Sequence, residues 1–176
     1  MNSTVVIGES PQSRFEIDFL HDKAMVRLIG LVNERMDFPA ALEAIGDNCL
    51  YIKTVVFDLA RVSSINSLGV RGWIQFISQL QATYAIRFSV VSEAMIEQAA
   101  IVPNLLGKKG TPIEAIEVPY SCSKCKSRIS RQFQIKDLPS GGAFSAPTVG
   151  CENCDEMLEF DAQQGEYAAV LKWSVS

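Results

Sequence analysis

Between Arg14 and Leu20 the apolar residues Phe15, Ile17 and Phe19 alternate with the charged Glu16 and Asp18. A period of two predicts a strand with one buried face. Lys23–Gly30 carries Met25, Val26, Leu28 and Ile29 and predicts a second strand, joined to the first through His21-Asp22 as a hairpin. The period then lengthens. Ala41, Leu42 and Ile45 recur at helical spacing within Phe38–Cys49, with Asp37 placed as N-cap. Lys53–Leu59 is a short apolar run of the kind buried on both faces. Val70, Trp73, Ile74, Ile77 and Leu80 return every three or four residues and predict a helix over Ser67–Ala82. Ala85–Val91 predicts another buried strand, Glu93–Val102 a helix capped by Ser92 and ended by Pro103, and Thr111–Val118 an edge strand.

This order predicts an α/β domain over residues 14–118, a mixed sheet with helices packed on it. Residues 1–13 are polar overall and read as a tail. Composition shifts near Pro119, and residues 119–176 read as a small β-rich module. Arg128–Ile135 alternates Ile129, Phe133 and Ile135 with polar residues. Met157–Phe160 and Tyr167–Trp173 read as strands flanking a turn at Gln163–Glu166, and Leu138–Gly150 is a loop rich in Gly, Ser and Pro.

The chain is 48% hydrophobic and 20% charged, a globular composition. No run of 18 apolar residues occurs, so no membrane insertion is expected. Met1–Gln12 lacks the basic-then-apolar order of a secretory signal, and the expected location is cytoplasmic. A net charge of −4 argues against a phosphate-backbone binder, so no nucleic-acid partner is expected. Residues 119–176 agree, with basic Lys124, Lys126 and Arg128 in their first half offset by acidic Glu152, Asp155 and Glu156 in their second.

Four of the five cysteines, Cys122, Cys125, Cys151 and Cys154, form two C-x-x-C pairs. In a reducing compartment such pairs point to metal ligation before disulfides or redox chemistry. Two turns facing each other supply four thiolates, the set that zinc takes in closed structural sites. One structural zinc per chain is expected, with Lys124, Lys126 and Arg128 lowering the thiol pKa values. Residues Pro119–Trp173 resemble the zinc-ribbon family in this cysteine spacing. Four sulfur ligands leave no open position for catalysis. Cys49 reads as a core thiol, and the lone histidine, His21, as a turn residue.

Ser67 stands where a strand and loop run into a helix, a place that suits a cap and also suits a phosphate facing the helix amides. The stretch Arg27-Leu28-Ile29-Gly30, then Val55-Val56-Phe57-Asp58-Leu59, then Ile65-Asn66-Ser67-Leu68-Gly69 resembles the STAS domain of anti-sigma factor antagonists and sulfate transporter tails. The resemblance covers Arg14 to Val118 and implies that Ser67 is the phosphoacceptor, with Gly69 on the family's glycine. It also implies a partner surface at Asn33, Asn66, Leu68 and Gly69. Asn33 and Asn66 stand where the family carries acids, removing negative charge near the hydroxyl, and Leu68 replaces a small residue.

The implied function is a non-enzymatic regulatory interaction module. Its partner would be an anti-sigma or serine kinase-like regulator, or other STAS-like subunits, copies of this chain included. The alternative is a phosphorylation-independent scaffold docking through both modules. No Gly-rich phosphate loop, triad spacing or acid–base pair appears in the chain. The remaining enzyme reading is a thiol oxidoreductase using one C-x-x-C pair.

Overall fold

A computed structural model describes residues 3–10, 12–48, 51–139 and 144–174. Its strands are β1 (Ser3–Ser10), β2 (Ser13–Leu20), β3 (Lys23–Val32), β4 (Thr54–Ile65), β5 (Ala85–Val91), β6 (Ile113–Ser121), β7 (Arg128–Gln134) and β8 (Glu159–Phe160). Its helices are α1 (Phe38–Asp47), α2 (Ser67–Leu80), α3 (Glu93–Ile101) and α4 (Gln164–Ser174). The strands form one mixed sheet in the order β1-β2-β3-β4-β5-β6-β7, with β8 also on β6. β3 to β6 run parallel through helical crossovers, and the pairs at either end are antiparallel. The α/β class expected from the alternation is the class observed.

The alternation in β2 works as read: Phe15, Ile17 and Phe19 are buried, while Glu16 and Asp18 join Arg14, Arg27 and Arg61 in ion pairs. His21 turns the β2–β3 hairpin with φ 50°. The helical stripe of α2 also holds. Trp73 and Phe76 meet Phe57 of β4 edge-to-face at 5.2 and 6.0 Å, and Phe15 and Phe38 close the same aromatic cluster. The buried Trp73 indole donates to Leu105 O at 2.7 Å. Asp37 caps α1 by accepting from the Ala40 amide.

Four expectations are corrected. The segment read as a tail is largely β1, paired in register with β2 from Ser3↔Phe19 to Ile7↔Phe15; its Thr4-Val5-Val6-Ile7 run is strand-forming despite polar flanks. β4 continues past Leu59 to Ile65, because Val62 keeps an inward place among the polar Arg61, Ser63 and Ser64. β6 is not an edge strand: β5 lies on one side of it, β7 on the other, and β8 pairs with its last two residues. Tyr167–Trp173 is not a strand but part of α4. Tyr167 and Val170 lie one helical turn apart and are both buried, and Ala168, Ala169, Leu171 and Lys172 between and after them are good helix formers. Cys49 lies outside the described residues.

β6 runs on through Pro119, so residues on both sides of that point build one sheet and one continuous core. Tyr167 stacks on Phe144 at 4.9 Å, meets Phe160 edge-on at 5.3 Å and donates its hydroxyl to Glu117 O at 3.0 Å. Emptying that space is expected to cost about 3–5 kcal/mol. Urea unfolding of Tyr167→Ala checks this; a change below about 1 kcal/mol would mean that α4 does not belong to the core.

Candidate functional site

The two C-x-x-C segments fold into near-copies of one loop. In the first, between β6 and β7, the Cys122 amide donates to Ser127 O and the Lys126 amide to Cys122 O. In the second, the Cys151 amide donates to Glu156 O and the Asp155 amide to Cys151 O. Lys126 and Asp155 hold the same left-handed place, at φ 58° and 56°. Such a conformation is uncommon for residues other than glycine, and its use twice at the same position marks a loop shaped for its sulfurs. A single bridge, Gly150↔Met157, closes the base of the second loop, and β8 then brings it alongside β6.

These loops gather four sulfurs, all within 4.8 Å of one another. Two contacts between the loops measure 3.5 Å, Cys122–Cys154 and Cys125–Cys151. Sulfurs about 2.3 Å from a shared ion in a tetrahedron lie about 3.8 Å apart, whereas a disulfide requires about 2.05 Å. Cys122 and Cys151 are buried at 1% and 4% exposure, and Cys125 is at the surface. The four cysteines are therefore placed to hold one metal ion, and the donor set and its spacing fit a four-sulfur site.

Ionisation follows hydrogen bonding here. The Ser127 hydroxyl, 3.0 Å from the Cys125 sulfur, and the Ser127 amide bring that thiol down to about 6. Against a Glu156 amide that favours its thiolate, burial and hydrogen bonds with the other three sulfurs push Cys154 up to about 12. Crowded sulfurs resist ionising together, and a cation relieves that. The lysines expected to lower the thiols are not the cause. Arg128 instead bridges Glu93 at the start of α3 and Asp161 just after β8. Arg131 pairs with Glu152 and so ties β7 to the second loop. Ser127 went unnoticed as a functional residue, and Arg128 was expected to act on the thiols instead of bridging α3 and β8; the signal for Ser127 was its place two residues after Cys125.

The second candidate region lies at the start of α2. Asn66, not Ser67, is the cap: its side chain accepts from the Gly69 amide at 2.8 Å. Ser67 is the first helical residue, exposed beside Leu68, itself 56% exposed. Gly69 is buried, and a Cβ there would lie 2.1 Å from Val32 O, so this glycine lets α2 sit directly on the end of β3. Asn33 is only 8% exposed and accepts from the Arg35 amide. Of the residues expected on one surface, Asn66, Ser67 and Leu68 reach solvent, while Asn33 and Gly69 are interior supports.

Negative charge is present at this corner. Glu34 receives a hydrogen bond from the Asn66 side chain at 3.0 Å, and that bond holds its carboxyl below the usual range. A carboxylate thus stands on Asn66, the residue that precedes Ser67. Asp58 accepts from the Ala60 amide, a supporting role within β4.

No family model and no curated protein matches the chain. Solved structures of Mglu resemble part of it. One is 29% identical over 41% of this chain and 18% of that chain, with a TM-score of 0.36. Another, in an L-glutamate binding form, is 19% identical over 41% of this chain and 25% of that chain, with a TM-score of 0.35. The matched region spans about a quarter or less of those chains, and likeness at that level carries no functional argument. No helix among the described residues is long and apolar enough to cross a membrane.

The site geometry predicts that in metal-free protein Cys125 alkylates first. Because its folded pKa is lowered, the reactive thiolate is populated above about pH 6. Ser127→Ala moves that midpoint upward. Iodoacetamide labelling with peptide mass spectrometry across pH reads it; a midpoint near the free-cysteine value of about 8.5 in the unsubstituted protein would contradict the assignment.

Proposed function

We propose that this chain is a non-enzymatic regulatory protein that docks another protein through the start of α2, with a structural zinc at Cys122, Cys125, Cys151 and Cys154. The docking surface is Asn66, Ser67 and Leu68, with Glu34 at its border. The observation that carries this reading is the exposed Ser67–Leu68 pair on a helix end built rigidly from below by Gly69 against Val32. An apolar side chain in water beside a modifiable hydroxyl, on a backbone that does not give, makes a surface whose affinity one phosphate changes sharply. The succession of elements from β2 to β6 supports kinship with anti-sigma factor antagonists. The partner is then an anti-sigma or serine kinase-like regulator, or other STAS-like subunits.

Zinc is the metal this donor set favours. Four thiolates at tetrahedral spacing leave no open coordination position, so the ion would hold structure and not a substrate. Each sulfur has partners on the opposite loop, with all four within 4.8 Å of one another, and this favours shared ligation over a dithiol redox couple. Elemental analysis should return one zinc per chain.

A second reading, a scaffold that works without phosphate, draws on Glu34. Its carboxylate next to Ser67 would repel a phosphate, which carries nearly two negative charges at neutral pH. The two readings separate in one experiment. Ser67→Ala, Ser67→Asp and Glu34→Gln are compared in pull-downs from the host, with phosphopeptide mass spectrometry on the native protein. The switch predicts phosphate on Ser67, binding retained in Ser67→Ala and lost in Ser67→Asp. Equal binding by the Ala and Asp variants with no phosphate on Ser67 would leave the scaffold reading.

A further inference from the structure

The two edges of the sheet are built differently. β7, at one edge, carries Arg128 and Arg131 along its seven residues. β1, at the other, has no charge and no proline from Thr4 to Gly8. Edge strands are ordinarily blunted by charge, proline, a bulge or a covering element, because their unpaired amides and carbonyls template further pairing. In β1 the register with β2 is regular from Ser3 to Ile7, and its irregularity falls only beyond Ile7, next to Gly8 at φ 123°. No described strand lies on its outer side.

The side chains are as suggestive as the backbone. Val5 and Ile7 pack against the core yet stay half-buried, with no described strand beyond them at the sheet edge. Val6, on the opposite face, is 58% exposed.

We propose that β1 is a homodimer interface, its occupant a second copy of β1 paired antiparallel about a two-fold axis at Val6. That register places Val5 of each copy against Ile7 of the other, Val6 against Val6, and Thr4 against Gly8. Residues directly opposite in an antiparallel pair share a face. Val5 and Ile7 of both copies therefore lie on the core side and extend the two cores into each other. No like charges oppose one another among these pairs, and the contact is isologous, as two-fold symmetry requires. One continuous sheet then runs through both molecules. The interface lies at the far edge of the sheet from β7 and the cysteine loops, so it leaves the metal centre free. It does not rest on the reading of Ser67, and it supplies a second valency whether or not that reading holds.

The test uses the full-length, metal-loaded chain in sedimentation velocity, from low micromolar to about 100 µM. The unsubstituted protein should sediment as a dimer at the upper end. Val6→Lys sets two ammonium groups face to face at the axis and should weaken association at least about tenfold. Val6→Glu should do the same, and an equimolar mixture of the two variants should recover the dimer through opposite charges. Because Val6 is exposed in the monomer, both variants should keep their circular dichroism and metal content. A monomer at every concentration, a dimer indifferent to Val6→Lys, or a mixture that fails to associate would each overturn the proposal.

Discussion

Four sulfurs from two distant loops converge within 4.8 Å of one another, and that convergence organises the C-terminal third of the molecule. Cys122 and Cys125 sit on the turn that joins β6 to β7, and Cys151 and Cys154 on the loop that leads to β8. Bringing the two turns together places β7 and β8 on opposite sides of β6. It also carries Phe144, Phe160 and Tyr167 into one aromatic cluster. The intervening chain is too poor in apolar residues to be secured by burial alone, and a small segment of this kind leans on a metal or a neighbour. Here it has a neighbour, because Tyr167 and Val170 join the same core as Phe57 and Phe88. A bound ion would fasten the turns, and the sheet would supply the rest.

The start of α2 obeys a different constraint. Backbone meets backbone where Gly69 lies over Val32, and Asn66 fastens the helix end twice, to the Gly69 amide and to Glu34. Ser67 and Leu68 are consequently presented on a rigid support. Such a corner recognises a partner without first having to become ordered, which lowers the entropic cost of association. The metal loops lie past the end of β6, and Arg128 ties the first of them to Glu93 of α3. The cysteine centre and the helix layer are thus mechanically joined, although the chemistry of each is separate.

Much of this was legible along the chain. The period-two pattern in Arg14–Leu20 and the helical stripe of α2 named their elements, because burial on one face leaves a periodic trace. The cysteine spacing announced the metal loops, since few other chemistries need that pattern. Other features left no periodic trace. The apolar run of β1, Val5 to Ile7, is short and flanked by polar residues, so its pairing with β2 shows only in three dimensions. In Tyr167–Trp173 the β-prone Tyr167, Val170 and Trp173 obscure a helix that Ala168, Ala169, Leu171 and Lys172 favour and that the packing of Tyr167 and Val170 sets. The place of Glu34 beside Asn66 is visible only once the Asn66 side chain is seen to reach it. The burial of Asn33 follows from its hydrogen bond to the Arg35 amide, which no pattern of residue types encodes.

Hydrogen exchange read by mass spectrometry, before and after removal of metal with a strong chelator under reducing conditions, bears most directly on the role given to the cysteine quartet. Amides of both cysteine loops and of the adjoining ends of β7 and β8 should lose part of their protection together when the metal leaves. Those of β2 to β5 should keep most of theirs, because the aromatic cluster around Phe57 and Trp73 does not involve the sulfurs. Unchanged protection across residues 120–174 after complete metal removal would contradict the claim that sulfur ligation holds this part of the molecule in place.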